Sequence, residues 1–130
     1  MTLVLDTSVL IDLENKEKNT LEKLSKAVEM DQTPASITFI IYFEFYDGLR
    51  VKSQKNREKL IDFINKFNCL QTTKKTAQIL SDLKNKYEKV GKALPLADML
   101  IASQVIENNM TLITSNKHFD VIEELKKVIL

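Results

Sequence analysis

The sequence predicts an α/β protein: a parallel sheet covered by helices on both faces, a three-layer α/β/α sandwich. Two observations carry this. Short apolar runs of the strand kind recur along the chain, at Leu3-Val4-Leu5, Ala35-Ser36-Ile37-Thr38-Phe39-Ile40 and Thr111-Leu112-Ile113-Thr114. Between them lie stretches with apolar residues three and four apart, the period of an amphipathic helix. Strands joined by helical crossovers pair in parallel.

The elements follow in order. Residues 2–5 read as a strand buried on both faces, because three apolar residues stand in a row. Asp6, Thr7 and Ser8 stop it, and all three types are preferred at a helix N-cap. Val9, Leu10 and Leu13 begin the stripe of a short helix. Residues 14–19 form a charged turn. Leu21, Leu24, Ala27 and Val28 place an amphipathic helix at 20–30, and 31–34 reads as a turn.

The second strand, from residue 35, passes near Ile40 into a helix that carries Glu44 and ends near Gly48, a C-cap candidate. Leu60, Phe63, Ile64 and Phe67 stripe a helix over 53–67. Residues 68–71 form a short strand. Thr73 caps a long helix with the buried line Ala77, Leu80, Leu83 and Tyr87, and Gly91 ends it. Pro95 opens a helix over 96–107 with Asp98 in its first turn. A strand at 111–114, a short helix at 121–126 and a last strand at 128–130 complete the chain.

Composition narrows the function. At 130 residues with no break in composition, one domain spanning 1–130 is expected. A net charge of +1 argues against a generally basic nucleic-acid coat protein. The apolar run 37–46 is too short to cross a membrane and contains Glu44. The N-terminus has no basic region or cleavage site, so no signal peptide is expected. The single Cys69, in an apolar setting, suits a core position and a reducing cytoplasm.

Three acids interrupt apolar surroundings. Asp6 ends a strand. Glu44 sits inside Ile40-Ile41-Tyr42-Phe43-Glu44-Phe45-Tyr46. Asp98 sits in Leu94-Pro95-Leu96-Ala97-Asp98-Met99-Leu100-Ile101-Ala102. A buried carboxylate is costly unless it is paired or metal-bound. No Lys or Arg stands at a fixed short spacing to each. Hard divalent cations with oxygen ligands, Mg²⁺ or Mn²⁺, are the natural partners of such a cluster. Each acid also has an ordinary role open to it: Asp6 as an N-cap, Asp98 as a charge matched to a helix dipole, Glu44 as a residue at a helix edge. All three nevertheless fall on elements that end at one edge of one sheet.

Other residues read as ordinary structure. His118, the only histidine, has no Cys or His companion for zinc and suits a surface loop. The run Arg50, Lys52, Lys55, Arg57 and Lys59 is first a solvated helix face, although it could help hold a phosphate backbone near Glu44. Phe39, Tyr42, Phe43, Phe45 and Tyr46 exceed what one helix face can bury, which predicts an interface with a second copy or a partner protein.

Four stretches together resemble the PIN-domain nucleases, and most of all the VapC-type toxins. They are Leu5-Asp6-Thr7-Ser8-Val9-Leu10-Ile11, Glu44 with Gly48 four later, Pro95 to Ala102, and Leu112-Ile113-Thr114-Ser115-Asn116-Lys117-His118-Phe119. The resemblance spans nearly the whole chain, with motif order preserved. It implies a PIN-like fold, Mg²⁺- or Mn²⁺-dependent endoribonuclease activity on RNA, frequent homodimers and an antitoxin that blocks the site. It places Asp6, Glu44 and Asp98 as the core acids, with Thr7 and Thr114 lining the site. Asn116 falls where many members carry a fourth Asp, which puts a second metal in doubt.

Two rivals stay open. One is a phosphoryl-transfer domain with Asp6 as nucleophile, although Ser8 stands where a haloacid-dehalogenase-like phosphatase wants a second Asp, and the acidic pair of a receiver domain is missing. The other is a catalytically idle PIN-like module that only binds a partner, a reading kept alive by Asn116.

Overall fold

The computed structural model describes residues 2–28 and 35–130. Five strands form one parallel sheet: β1 (Leu3–Leu5), β2 (Ser36–Thr38), β3 (Asn68–Leu70), β4 (Thr111–Thr114) and β5 (Lys127–Ile129). Their order across the sheet is β3-β2-β1-β4-β5. Leu3, Val4 and Leu5 lie opposite Thr111, Leu112 and Ile113, and Val4 lies opposite Ser36 on the other side. Among the described residues six α-helices accompany them: α1 (Thr7–Glu14), α2 (Lys18–Val28), α3 (Phe39–Gly48), α4 (Gln54–Ile64), α5 (Lys74–Lys89) and α6 (Leu96–Glu107). The expected sandwich is therefore the observed one. The turn expected at 31–34 and the end of the helix expected at 20–30 lie outside the described residues.

The order of the strands makes the site. From β1 the chain moves to one side through β2 and β3, then returns to the other side of β1 as β4. The sheet thus reverses direction between β1 and β4. In open parallel sheets, the carboxyl ends of the strands at such a reversal form a crevice that takes ligands. Asp6 follows β1 there, and Thr114 ends β4 beside it.

Local chemistry explains most element boundaries. Thr38 ends β2 and caps α3, its hydroxyl accepting from Ile41 N–H at 3.3 Å. This cap turns a β-branched run into a helix at Phe39, two residues earlier than the strand pattern suggests. Ser53 caps α4. Thr73 and Thr76 exchange backbone and hydroxyl hydrogen bonds in a reciprocal cap at the start of α5. Gly91 at φ +70° turns the chain away after α5, a conformation that glycine adopts without strain.

Three expectations fail, each for a local reason. Gly48 is not a left-handed cap: its φ is −63°, and the chain runs on into a tight turn of 3₁₀ helix over Leu49–Val51. Ala77 is exposed, and Thr76 is buried in its place. The hydroxyls of Thr73 and Thr76 both donate to Glu107 at the end of α6, which rotates that side of α5 inward. The helix expected at 121–126 does not form. A 3₁₀ segment over Lys117–Val121 and a turn replace it. Phe119, Ile122 and Leu125 are the buried residues of this stretch, and Ile122 N–H and Leu125 N–H each bond the carbonyl three residues back. Burial every third residue selects the tighter helix over the α-helix.

The core is continuous, from Val4, Val9 and Leu10 through Ile37, Ile41 and Ile64 to Ile101, Leu112 and Ile113. α6 buries Met99 and the run from Ile101 to Val105, as its nearly all-round apolar sequence demands. Glu107→Ala should remove both hydroxyl contacts at the cap of α5. A loss of about 1 kcal/mol in unfolding free energy is expected by denaturant titration, with Glu107→Gln losing less.

Aromatic residues on α3 divide between core and surface. Phe45 is buried, whereas Phe39 and Phe43 are each 56% exposed and Tyr46 is 49% exposed. One helix face cannot cover them all, as its composition requires.

Candidate active site

Asp6 is the centre of the site. It is only 7% exposed. Its backbone N–H donates to Ile113 O at 3.0 Å, extending the β1–β4 pairing by one residue. Its side chain caps α1: Thr7 N–H donates to Oδ1 at 2.9 Å. The other oxygen, Oδ2, accepts from the Thr114 hydroxyl at 2.6 Å. The cap role and the site role are thus held by one carboxylate, one oxygen each.

Thr7 carries the network outward. Its hydroxyl donates to Glu44 Oε1 at 2.8 Å, joining the first turn of α1 to the second turn of α3. Thr114 carries it the other way. It is fully buried, and its hydroxyl accepts from Asn116 N–H at 3.0 Å while donating to Asp6. Asn116 turns its side chain along the chain: Oδ1 accepts from His118 N–H at 3.0 Å and caps the 3₁₀ segment. Its link to Asp6 therefore runs through its backbone and the Thr114 hydroxyl.

Asp98 completes the edge from α6. It stands half-buried in the first turn, where a helix N-terminus favours a negative charge. Burial nevertheless raises its pKa, and the charge on Asp6 raises it further, with His118 opposing. Burial also raises the pKa of Glu44. The Thr7 hydroxyl pulls that value back, and the charges on Asp6 and Asp98 push it up. So each of the three acids lies within electrostatic reach of at least one other. None of them is in an ion pair among the described residues.

The donor set is all oxygen, negatively charged and without a balancing cation, which is the chemistry of a hard divalent ion's ligands. The side chains share one edge but are not drawn round one point: among the described residues, no group of three or more acidic, histidine or cysteine side chains is close enough to hold a metal ion.

Three further residues near the site lie inside the stretches that resemble the family, yet have no role assigned to them. The Ser8 and Ser115 hydroxyls meet at 2.8 Å, closing the gap between α1 and the end of β4. Ser115 directly follows a strand-ending hydroxyl, the one hint available. His118 is exposed, as expected of a surface position, yet its charge reaches Asp98.

Thr114→Val tests the inner link. It leaves the shape intact, removes a hydrogen bond from Asp6 and orphans Asn116 N–H. A loss of about 1–3 kcal/mol of stability is expected by chemical denaturation.

An α/β/α fold with acids and hydroxyls gathered at the reversal of a parallel sheet defines a class of site that binds charged ligands at the carboxyl ends of the strands. The chain belongs to the PIN domain family, whose pattern matches residues 3–125. A curated relative, ribonuclease VapC2 of Rickettsia felis, is 28% identical over 134 residues, covering 98% of this chain and 92% of the relative. The fold is also that of VapBC2 from Rickettsia felis bound to a promoter DNA fragment, with TM-score 0.84, 23% identity and coverage of 100% and 99% of the two chains. VapBC-1 from nontypeable Haemophilus influenzae is similar at TM-score 0.79 and 25% identity, with 99% and 98% covered. No described helix is long and apolar enough to cross a membrane.

Proposed function

We propose that this chain is a Mg²⁺- or Mn²⁺-dependent endoribonuclease that hydrolyses RNA phosphodiester bonds, the toxin of a VapBC-type pair. The observation that carries this reading is the buried Asp6 carboxylate. It is fixed by Thr7 and Thr114 at the sheet reversal, and Glu44 and Asp98 lie along the same edge within reach of its charge, with no ion pair among the described residues. The likeness to a ribonuclease over nearly the full chain supports the substrate class.

Asp6 and Asp98 are assigned as metal ligands, and Glu44 as a ligand or as the base acting through a water. A bound divalent ion supplies a water of lowered pKa and offsets charge developing on the phosphate. In the reaction a water oxygen bonds to phosphorus as the bond to the leaving ribose oxygen breaks. Thr114 holds Asp6 at one oxygen and Thr7 holds Glu44, so neither carboxylate swings away. Thr114 and Asn116 brace the edge against which the phosphate lies. Single-stranded or looped RNA suits this open edge, because its backbone can bend into it.

Partners follow from the surface. The exposed Phe39, Phe43 and Tyr46 on α3 are assigned to contact with an antitoxin or a second copy of the chain. The structural relatives in VapBC complexes support an antitoxin partner. One domain over 1–130 and a cytoplasmic setting complete the proposal. The idle-module reading is favoured by two observations, the engagement of Asn116 Oδ1 as a cap and the spacing of the three acids, which are not drawn round one point.

The test is metal dependence. Cleavage of a labelled RNA should vanish in excess chelator and return on adding Mn²⁺ or Mg²⁺. Cleavage at full rate in chelator would contradict the metal assignment, and no cleavage with either metal would favour the idle module.

A further inference from the structure

Beside Glu44 the surface opens into a cleft between α1, α3 and α4. Its first part has an apolar lining of Ile11, Phe45, Leu49 and Leu60, with Glu44, Glu14, Asn15 and Lys52 as its polar groups. Glu14, Asn15 and Lys52 also line the next part, together with Asn56 and Lys59. The two parts are thus continuous, and the second is the more polar. Lys52 and Lys59 are exposed and form no ion pair among the described residues, although the Glu14 carboxylate shares the cleft.

The start of α4 adds a second, independent observation. Its first turn holds no acid, and Lys52, Lys55 and Arg57 crowd its N-terminus. Cations at that end of a helix oppose its dipole, so the arrangement is unfavourable unless an anion sits there. Arg57 is held in place, its Nε donating to Lys52 O at 3.0 Å. Asn56 and Asn15 offer neutral hydrogen-bonding groups along the same path.

We infer that this cleft is a track for the RNA strand beyond the cleaved bond, with Lys52 and Lys59 each neutralising one flanking phosphate. The inference rests on the ribonuclease reading for the identity of the polymer. The chemistry fits a phosphate backbone better than a protein segment. The cleft's second part pairs spaced cations and amides with a helix N-terminus, and the exposed aromatics Phe39, Phe43 and Tyr46 of α3 line neither part. Contacts of this kind position a strand without reading its sequence. The small net charge of the whole chain is consistent with a local track rather than a basic surface.

Fluorescence anisotropy in excess chelator, with a fluorescein-labelled single-stranded RNA of about a dozen nucleotides, tests this without cleavage. Each phosphate contact to a single strand contributes about 0.7 to the slope of log affinity against log salt, so Lys52→Ala/Lys59→Ala should lower the slope by about 1.4. Affinity at low salt should fall about tenfold. Both side chains are exposed, so an unchanged melting curve is expected. Lys126→Ala, next to the amino end of β5 and so at the opposite edge of the sheet from Asp6, controls for net charge against each single substitution, Lys52→Ala and Lys59→Ala. An unchanged slope, an equal loss in the control, or no RNA binding by the wild type overturns the inference. Binding through this track without metal-dependent cleavage would instead overturn the ribonuclease reading and leave the track standing.

Discussion

Asp98→Asn should abolish RNA cleavage, by about 100-fold or more, and leave the metal-free protein as stable as the wild type or more so. The two halves of this result have one cause. Asp98 is held at the edge by α6, and burial and the Asp6 charge both disfavour its ionised form. A group used to hold a cation is strained without one. Asparagine keeps the shape and removes the charge, so the strain goes and the proposed ligand goes with it.

The pH dependence follows with a definite sign. Asp98 and Glu44 bind their protons more tightly in the folded chain than in the unfolded one. The folded state then carries more protons, so metal-free stability falls as pH rises through the window between the ordinary and the raised carboxylate values. Below that window the penalty is absent, and above it the penalty is complete. Thermal melts in chelator should show this decline in the wild type and a shallower one in Asp98→Asn. A large loss of melting temperature in Asp98→Asn would instead show that Asp98 is a structural cap of α6.

Asp6→Asn should also abolish cleavage, but here the fold should suffer. Both Asp6 oxygens accept hydrogen bonds, from Thr7 N–H at 2.9 Å and the Thr114 hydroxyl at 2.6 Å. An amide offers one acceptor and one donor. Its NH₂ must face either the Thr7 N–H, donor against donor, or the Thr114 hydroxyl, which then loses its acceptor. The site is buried, so water does not repair the loss. A decrease of about 1–3 kcal/mol in unfolding free energy is expected from denaturant titration. Equal stability in Asp6→Asn and the wild type would mean that the carboxylate does not hold these two bonds in solution. The contrast between the two substitutions, one relieving and one damaging, separates an acid kept for its charge from an acid that also builds the fold.

Much of this site was legible because its residues break local rules. An acid and two hydroxyls after an apolar strand mark a strand–helix junction, and Asp6, Thr7 and Ser8 are found there. Glu44 and Asp98 stood out as charges inside apolar stretches. Long-range pairing was not legible. Ser8 and Ser115 lie 107 residues apart, and although both fall in stretches assigned to one site, nothing in either points to their direct contact. The same holds for Glu107, whose bonds to Thr73 and Thr76 decide which side of α5 is buried. Tertiary contact there overrides an apolar stripe that favoured Ala77. At 117–125 burial at Phe119, Ile122 and Leu125 recurs every third residue and favours a 3₁₀ turn over an α-helix, and the Asn116 cap starts it. Asn116 itself was noticed for its amide in place of an acid. Its use as a backbone cap could not be read without knowing where β4 ends.

The most direct test is a calorimetric Mn²⁺ titration of the wild type and Asp98→Asn side by side. Three carboxylates carry about three negative charges, enough to balance one divalent ion with a little excess, whereas a second ion needs a further anion. One tight site is expected in the wild type, with a second only weak or dependent on RNA, and the tight site should be absent in Asp98→Asn. Asn116→Asp should strengthen the weak event and leave the tight one nearly unchanged. Equal tight binding by the wild type and Asp98→Asn would contradict the assignment of this edge as the metal site.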